Sequence, residues 1–95
     1  GSAAGEEDPL MLTPRESALG VYTAARGMGR GTVRGADMRE VTTERIRFID
    51  NAVSVVQRAI DGPPKQFVRE PDDDSLRAML TNLQHQREAL APANT

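Results

Sequence analysis

Hydrophobic positions recur at intervals of three and four residues in three separate stretches of the chain. This is the period of an α-helix that has one apolar face. No stretch alternates apolar and polar residues for long enough to indicate a β-sheet. The pattern therefore predicts an all-α fold, an antiparallel three-helix up-down-up bundle preceded by a flexible acidic lead segment.

The first predicted helix extends from about Pro14 to Met28. Thr13 is a suitable N-cap, Pro14 suits the first helical position, and Glu16 completes a capping box. The apolar stripe of this helix is narrow and consists of Ala18, Val21, Tyr22, Ala25 and Met28. We expect the other two helices to supply most of the core.

The second predicted helix is the longest. Asp37 and Glu40 repeat the capping-box pattern at its start, and it runs to about Ile60, with Gly62 as a left-handed cap. Two adjoining apolar stripes follow it, one of Ile46, Ile49, Val53, Val56 and Ile60, and one of Phe48, Ala52, Val55 and Ala59. Because two stripes need two neighbours, we expect this helix to lie at the centre of the bundle.

The third predicted helix begins at an acidic run, residues 72–75, whose carboxylates suit the first turn of a helix. It is predicted to end near Pro92, and its apolar residues are Leu76, Met79, Leu80, Leu83 and Leu90. The chain is thus divided into a lead at 1–12, a bundle at 13–91 and a linker at 92–95. Gly1 and Ser2 have the form of a cloning remnant, and the linker suggests a piece of a longer protein.

Phe67 stands in the connection between the second and third helices, after a glycine and two prolines at 62–64 that end any helix. An aromatic ring left exposed in such a connection would contribute little to the stability of the fold. We therefore predict that Phe67, with Val68, folds back over Val56 and Ile60 and closes the core. Burial of the Phe67 side chain would then contribute about 2–3 kcal/mol to the stability of the fold. The alternative is that Phe67 is an exposed anchor for a partner protein.

Composition narrows the functional classes. The 95 residues are 38% hydrophobic and 3% aromatic, with no tryptophan, which suits a small aliphatic core between helices. A net charge of −2 argues against dominant attraction to nucleic acid or anionic lipid. The absence of cysteine excludes a disulfide framework and fits a reducing, cytoplasmic compartment. No apolar run is long enough to span a bilayer.

The parts needed for catalysis are missing from the sequence. There is no cysteine nucleophile, no serine or threonine has an identifiable base, and the single histidine, His85, is predicted at the surface. The acidic run at 72–74 lacks the alternating order of a calcium loop. We therefore expect a protein that is not an enzyme and that uses no cofactor, metal or small-molecule substrate.

Four glycines between residues 27 and 35 predict a flexible connection, and their spacing fits neither phosphate-loop pattern. Arg26, Arg30 and Arg34 lie there without acidic neighbours and suggest, as one alternative, a small nucleic-acid-binding module that contacts phosphates. A second alternative is a self-assembling helical subunit, because β-branched residues line the second helix.

The acidic lead offers a candidate docking segment for a protein partner. Asp8 is followed by Leu10, Met11 and Leu12, three apolar residues that are costly to leave in water ahead of a helix cap. The alternative is that Leu10 and Leu12 merely staple the first helix.

Several of these features together resemble the N-terminal regulatory domain of the syntaxin 6 and syntaxin 10 group of t-SNAREs. Members open with an acidic residue and Asp-Pro before apolar residues, as at 7–10 here. Their second helix has an aliphatic stripe like that of residues 46–56, and it ends in a proline-basic-Phe turn like Pro64, Lys65 and Phe67.

The resemblance implies an antiparallel three-helix bundle that precedes a SNARE helix and a C-terminal membrane anchor, neither of which is in this sequence. It also implies a role in vesicle-mediated transport and membrane fusion, through binding of tethering-complex or SNARE subunits at the cytosolic face of Golgi and endosomal membranes.

Overall fold

The computed structural model describes residues 11–28 and 38–90, and side chains in the second range from residue 41 onward. It contains three helices, α1 (Pro14–Met28), α2 (Met38–Asp61) and α3 (Asp73–Leu90). No strand occurs within these ranges. The predicted all-helical fold is confirmed. The bounds of α1 match the prediction, and α2 ends at Asp61 rather than Ile60.

Two of the predicted helix starts have the expected caps. At α1 the Thr13 hydroxyl accepts the Glu16 N–H at 3.1 Å, and Glu16 Oε1 accepts the Thr13 N–H at 2.9 Å. At α3 the Ser75 N–H donates to Asp72 Oδ1 at 2.8 Å. Each cap satisfies helical N–H groups that have no partner within the helix. The predicted capping box at Asp37 lies outside the described residues.

The core follows the apolar stripes. α1 and α3 each pack chiefly against α2 and touch one another much less, so α2 is the central helix, as its two stripes predicted. The buried hydrophobic residues are Ala18, Ala25, Ile49, Ala52, Val56, Ala59, Leu76, Met79 and Leu83. Four of these nine side chains are alanines, which let the helices approach closely and keep the core small.

Gly62 ends α2 in a way that the sequence did not predict. Its backbone is not in the left-handed region, so the prediction of a left-handed cap was wrong. The Gly62 N–H instead donates to the Ala59 carbonyl at 3.3 Å, a tightened last turn of the helix. A Cβ at this position would lie 3.2 Å from the Arg58 carbonyl oxygen. Glycine is therefore favoured by close approach to the backbone and not by a positive φ.

The prediction that Phe67 and Val68 close the core was also wrong. Phe67 is 42% exposed and Val68 is 98% exposed, and neither belongs to the core cluster. This end of the molecule is closed by Arg15 and Glu70, the two charged side chains that are buried among the described residues. Their hydrogen bonds, described below, fix the connection with its apolar side chains facing outward.

Candidate protein-binding surface at the loop end

Most of the large exposed apolar side chains lie at one end of the molecule. We call this the loop end; it consists of residues 11–16, which lead into and include the first residues of α1, and the α2–α3 connection, residues 62–72. Of the five such side chains in the described residues, Met11, Leu12, Phe67 and Val68 lie there, and the fifth, Leu19, lies within α1. An exposed apolar cluster of this kind is typical of a surface that binds another molecule.

Arg15 joins α1 to both ends of the connection. Its Nε donates to the Pro63 carbonyl at 3.1 Å and its Nη1 to the Pro71 carbonyl at 3.0 Å. Its Nη2 donates to Asp73 Oδ1 at 2.6 Å, at the start of α3. The side chain of Arg15 is only 4% exposed, so these carbonyls have a partner that water does not easily replace. The buried guanidinium thus fixes where the connection begins and ends.

Glu70 and Lys65 fix the middle of the connection. One carboxylate oxygen of Glu70, Oε1, accepts the N–H groups of Gln66 at 2.6 Å and Phe67 at 2.8 Å. The Lys65 ammonium donates to the carbonyls of Phe67 at 2.5 Å, Val68 at 3.1 Å and Glu70 at 2.8 Å. All three ammonium hydrogens are thereby used inside the turn. The backbone of Phe67 and Val68 is held in place while their side chains remain exposed.

Arg69 links α1 to the exposed aromatic ring. Its Nε donates to Glu16 Oε2, and its guanidinium carbon lies 4.6 Å from the centroid of the Phe67 ring. The cation therefore covers part of one face of the ring. The rest of Phe67 remains open to a partner.

The carboxylates at this end are held in their ionised form. Hydrogen bonds from the Gln66 and Phe67 N–H groups, the Thr13 hydroxyl and the charge of Arg15 lower the pKa of Glu70. The Thr13 N–H, and after it Arg69, lower the pKa of Glu16. At neutral pH both groups are acceptors only, as the hydrogen bonds above require.

The structure brings several of the predicted site residues to the same end. Met11 and Leu12, which are 68% and 58% exposed, directly precede the α1 cap, and the connection that carries Phe67 is tied to that cap. Asp8 and Leu10 lie outside the described residues. Phe67 is exposed, as the alternative hypothesis of a partner anchor requires, and its role as an anchor stays a prediction.

The alternative sites receive less support. Arg26 is exposed and its guanidinium lies 5.8 Å from the centroid of the Tyr22 ring, whereas Arg30 and Arg34 lie outside the described residues. Both apolar stripes of α2 contribute to packing within the chain, which leaves no complete stripe free for self-assembly. His85 is exposed on α3, as predicted.

Sequence reasoning missed the residues that hold this surface together: Arg15, Arg69 and Glu70. The capping box drew attention to Glu16 and not to its neighbour, and no role was predicted for the two residues after Val68. One signal was available, because a connection bounded by prolines has carbonyls that need donors. Nothing in the sequence said which cation would supply them.

A second concave surface lies at the opposite end of α1. It is a groove of about 310 Å³ lined by Ala25, Arg26, Met28, Arg45, Ile49, Gln86, Ala89 and Leu90. Met28 and Leu90 are each the last described residue before a range that the structure does not describe. Nothing in the structure shows what covers this groove, and we assign it no role.

Within the described residues, no helix is long and apolar enough to cross a membrane, and no group of three or more acidic or histidine side chains is placed to hold a metal. Comparison with known proteins likewise found no protein family, curated protein or solved structure that matches this chain.

Proposed function

We propose that this chain is a protein-interaction domain, not an enzyme, that binds a protein partner through the loop end. The observation that carries the proposal is the placement of Met11, Leu12, Phe67 and Val68, large apolar side chains exposed together at one end. Hydrogen bonds of Arg15, Lys65 and Glu70 fix the backbone of the connection, which presents Phe67 and Val68. A surface already fixed in shape loses little conformational entropy when a partner binds.

The most specific form of the proposal is the regulatory N-terminal domain of a syntaxin 6-like or syntaxin 10-like t-SNARE, with the helices in antiparallel up-down-up order. The central position of α2 and the contacts of Arg15, at the start of α1, with the end of the α2–α3 connection support this order. The partners would be SNARE or tethering-complex subunits at Golgi or endosomal membranes. The turn at Pro64, Lys65 and Phe67, which carries the resemblance, forms the exposed surface itself.

The test is a pull-down from cytosol with the domain as bait, with and without nuclease, and with bound proteins identified by mass spectrometry. The proposal expects SNARE or tethering-complex subunits that resist nuclease. A double variant, Phe67→Ser with Val68→Ser, should lose them. Leu19→Ser is the matched control, because it removes an exposed apolar side chain from α1 and leaves the loop end intact.

Two results would contradict the proposal. Capture of the same subunits by the double variant would show that the loop end is not the binding surface. Nuclease-sensitive capture of nucleic-acid-binding proteins, lost when Arg26, Arg30 and Arg34 are changed to Glu, would favour the arginine-rich segment instead. Thermal unfolding of each variant establishes that any loss of binding is not a loss of folding.

A further inference from the structure

Thr13 combines a recognisable modification sequence with a central place in the loop end. It is the only serine or threonine in the chain that is followed by proline. Residues 11–13 lie outside the helices, and Met11 and Leu12 are exposed, so an accessible non-helical segment leads up to the acceptor hydroxyl. Proline-directed kinases act on an extended chain at such a dipeptide. The first turn of α1 must open for them, and this local opening breaks the Thr13–Glu16 cap and the hydrogen bonds of Arg15.

Thr13 lies where α1 faces the α2–α3 connection. Its hydroxyl accepts the Glu16 N–H at 3.1 Å, and Glu16 Oε1 accepts the Thr13 N–H at 2.9 Å. Thr13 also lines the same cleft as Glu70, whose pKa it helps to lower. A cleft of about 90 Å³ opens beside Thr13 and Glu70.

We propose that Thr13 is a phosphorylation site for a proline-directed serine/threonine kinase, and that its phosphate loosens the attachment of the α2–α3 connection to α1. The Thr13 hydroxyl oxygen attacks the γ-phosphorus of ATP, the bond to the bridging oxygen breaks, ADP leaves, and the hydroxyl proton passes to the base of the kinase. The product carries a charge of about −1.5 to −2 at pH 7.

The local charges determine the effect of the phosphate. It places a dianion beside the Glu16 carboxylate and at the edge of the cleft that Glu70 lines, where the like charges repel. Arg15 cannot neutralise the added negative charge, because its guanidinium already donates hydrogen bonds to Pro63, Pro71 and Asp73. Arg69 is 61% exposed and therefore able to move, and the phosphate draws it away from Glu16. The guanidinium then leaves the Phe67 ring as well, so the surface proposed to bind a partner changes shape; only this last consequence rests on the proposed function.

The test treats the folded domain with a panel of purified mitogen-activated and cyclin-dependent kinases and ATP, and maps the phosphate by mass spectrometry. We expect phosphate on Thr13 and little or none on a Pro14→Ala variant, which keeps the hydroxyl and tolerates the first helical position. Absence of phosphate from Thr13, or equal modification of the Pro14→Ala protein, would overturn the assignment.

The structural consequence is measured on the phosphorylated protein. The melting temperature should fall by about 5 °C and recover after phosphatase treatment, and the amide signals of Gln66 and Phe67 should shift, since both donate to Glu70. An unchanged or higher melting temperature would overturn the loosening. Neither measurement involves a binding partner, so failure here is distinct from failure of the pull-down.

Discussion

Arg15 Nη2 and Asp73 Oδ1 lie 2.6 Å apart although the two residues are separated by 58 positions in the sequence. The contact joins the first turn of α1 to the first turn of α3. Asp73 is 55% exposed whereas Arg15 is almost fully buried, so the arginine is satisfied mainly by the carbonyls of Pro63 and Pro71. A single buried side chain of α1 therefore holds both ends of the α2–α3 connection.

Replacing Arg15 by methionine should destabilise the domain by about 2–4 kcal/mol. Methionine keeps an apolar stem but donates to neither the Pro63 nor the Pro71 carbonyl, and each buried acceptor left without a partner costs about 1–3 kcal/mol. Urea unfolding followed by circular dichroism measures the change. Arg77→Met is the control, because Arg77 is 62% exposed and its only ion pair here, with Asp74, spans 3.7 Å. Equal effects of the two changes would contradict a special role for Arg15.

The stability of the domain should fall in acid, and Glu70 should account for part of that fall. Because folding lowers the pKa of Glu70 from its ordinary value of 4.5, its contribution is complete above about pH 4.5 and is lost as the pH falls through the lower, folded value. Glu16 and Asp72, whose pKa values are also lowered, act in the same direction. Thermal unfolding between pH 7 and pH 3 should therefore show a decreasing melting temperature.

A Glu70→Gln variant should show a shallower dependence over the same pH range, because its amide does not titrate. Glu88→Gln, at an exposed position of α3, serves as the control and should follow the parent curve. If the Glu70 variant kept the full acid dependence, the carboxylate would not be the group that links pH to folding.

Leu76→Ala should destabilise the domain by about 3 kcal/mol, since Leu76 is fully buried and the alanine leaves a cavity in the core. Leu19→Ala removes the same atoms from a side chain that is 40% exposed and should have a much smaller effect. Denaturant unfolding of the two variants separates the outcomes. A large loss from Leu19 would place it in an interface that the described residues do not show.

Gly20→Ala should stabilise the domain by about 0.5–1 kcal/mol. Gly20 lies inside α1, its φ is not positive, and a Cβ there would meet nothing within 4 Å. Gly62→Ala is the informative comparison, because a Cβ there would crowd the Arg58 carbonyl oxygen. We expect it to give less stability than Gly20→Ala in the same thermal unfolding measurement. A greater gain at Gly62 would show that the end of α2 relaxes.

The sequence by itself determined the helices and much of their packing. The bounds of α1, the caps at Thr13 and Asp72, and the central position of α2 all follow from local hydrogen bonding and from a 3.6-residue apolar period, which the chain carries in neighbouring residues. Such information needs no knowledge of distant contacts.

Tertiary structure alone decided which side chains close the loop end. Phe67 was predicted inside because it is apolar, and no role was predicted for Arg15 or Glu70. In the structure the charged pair is buried and the ring is exposed. The reason is that the connection presents backbone carbonyls and N–H groups that apolar side chains cannot satisfy, whereas Arg15, 48 and 56 positions away from the carbonyls it serves, and Glu70 can. The hydrogen bonds of Arg15 join residues so far apart in the chain that they leave no periodic pattern in the sequence.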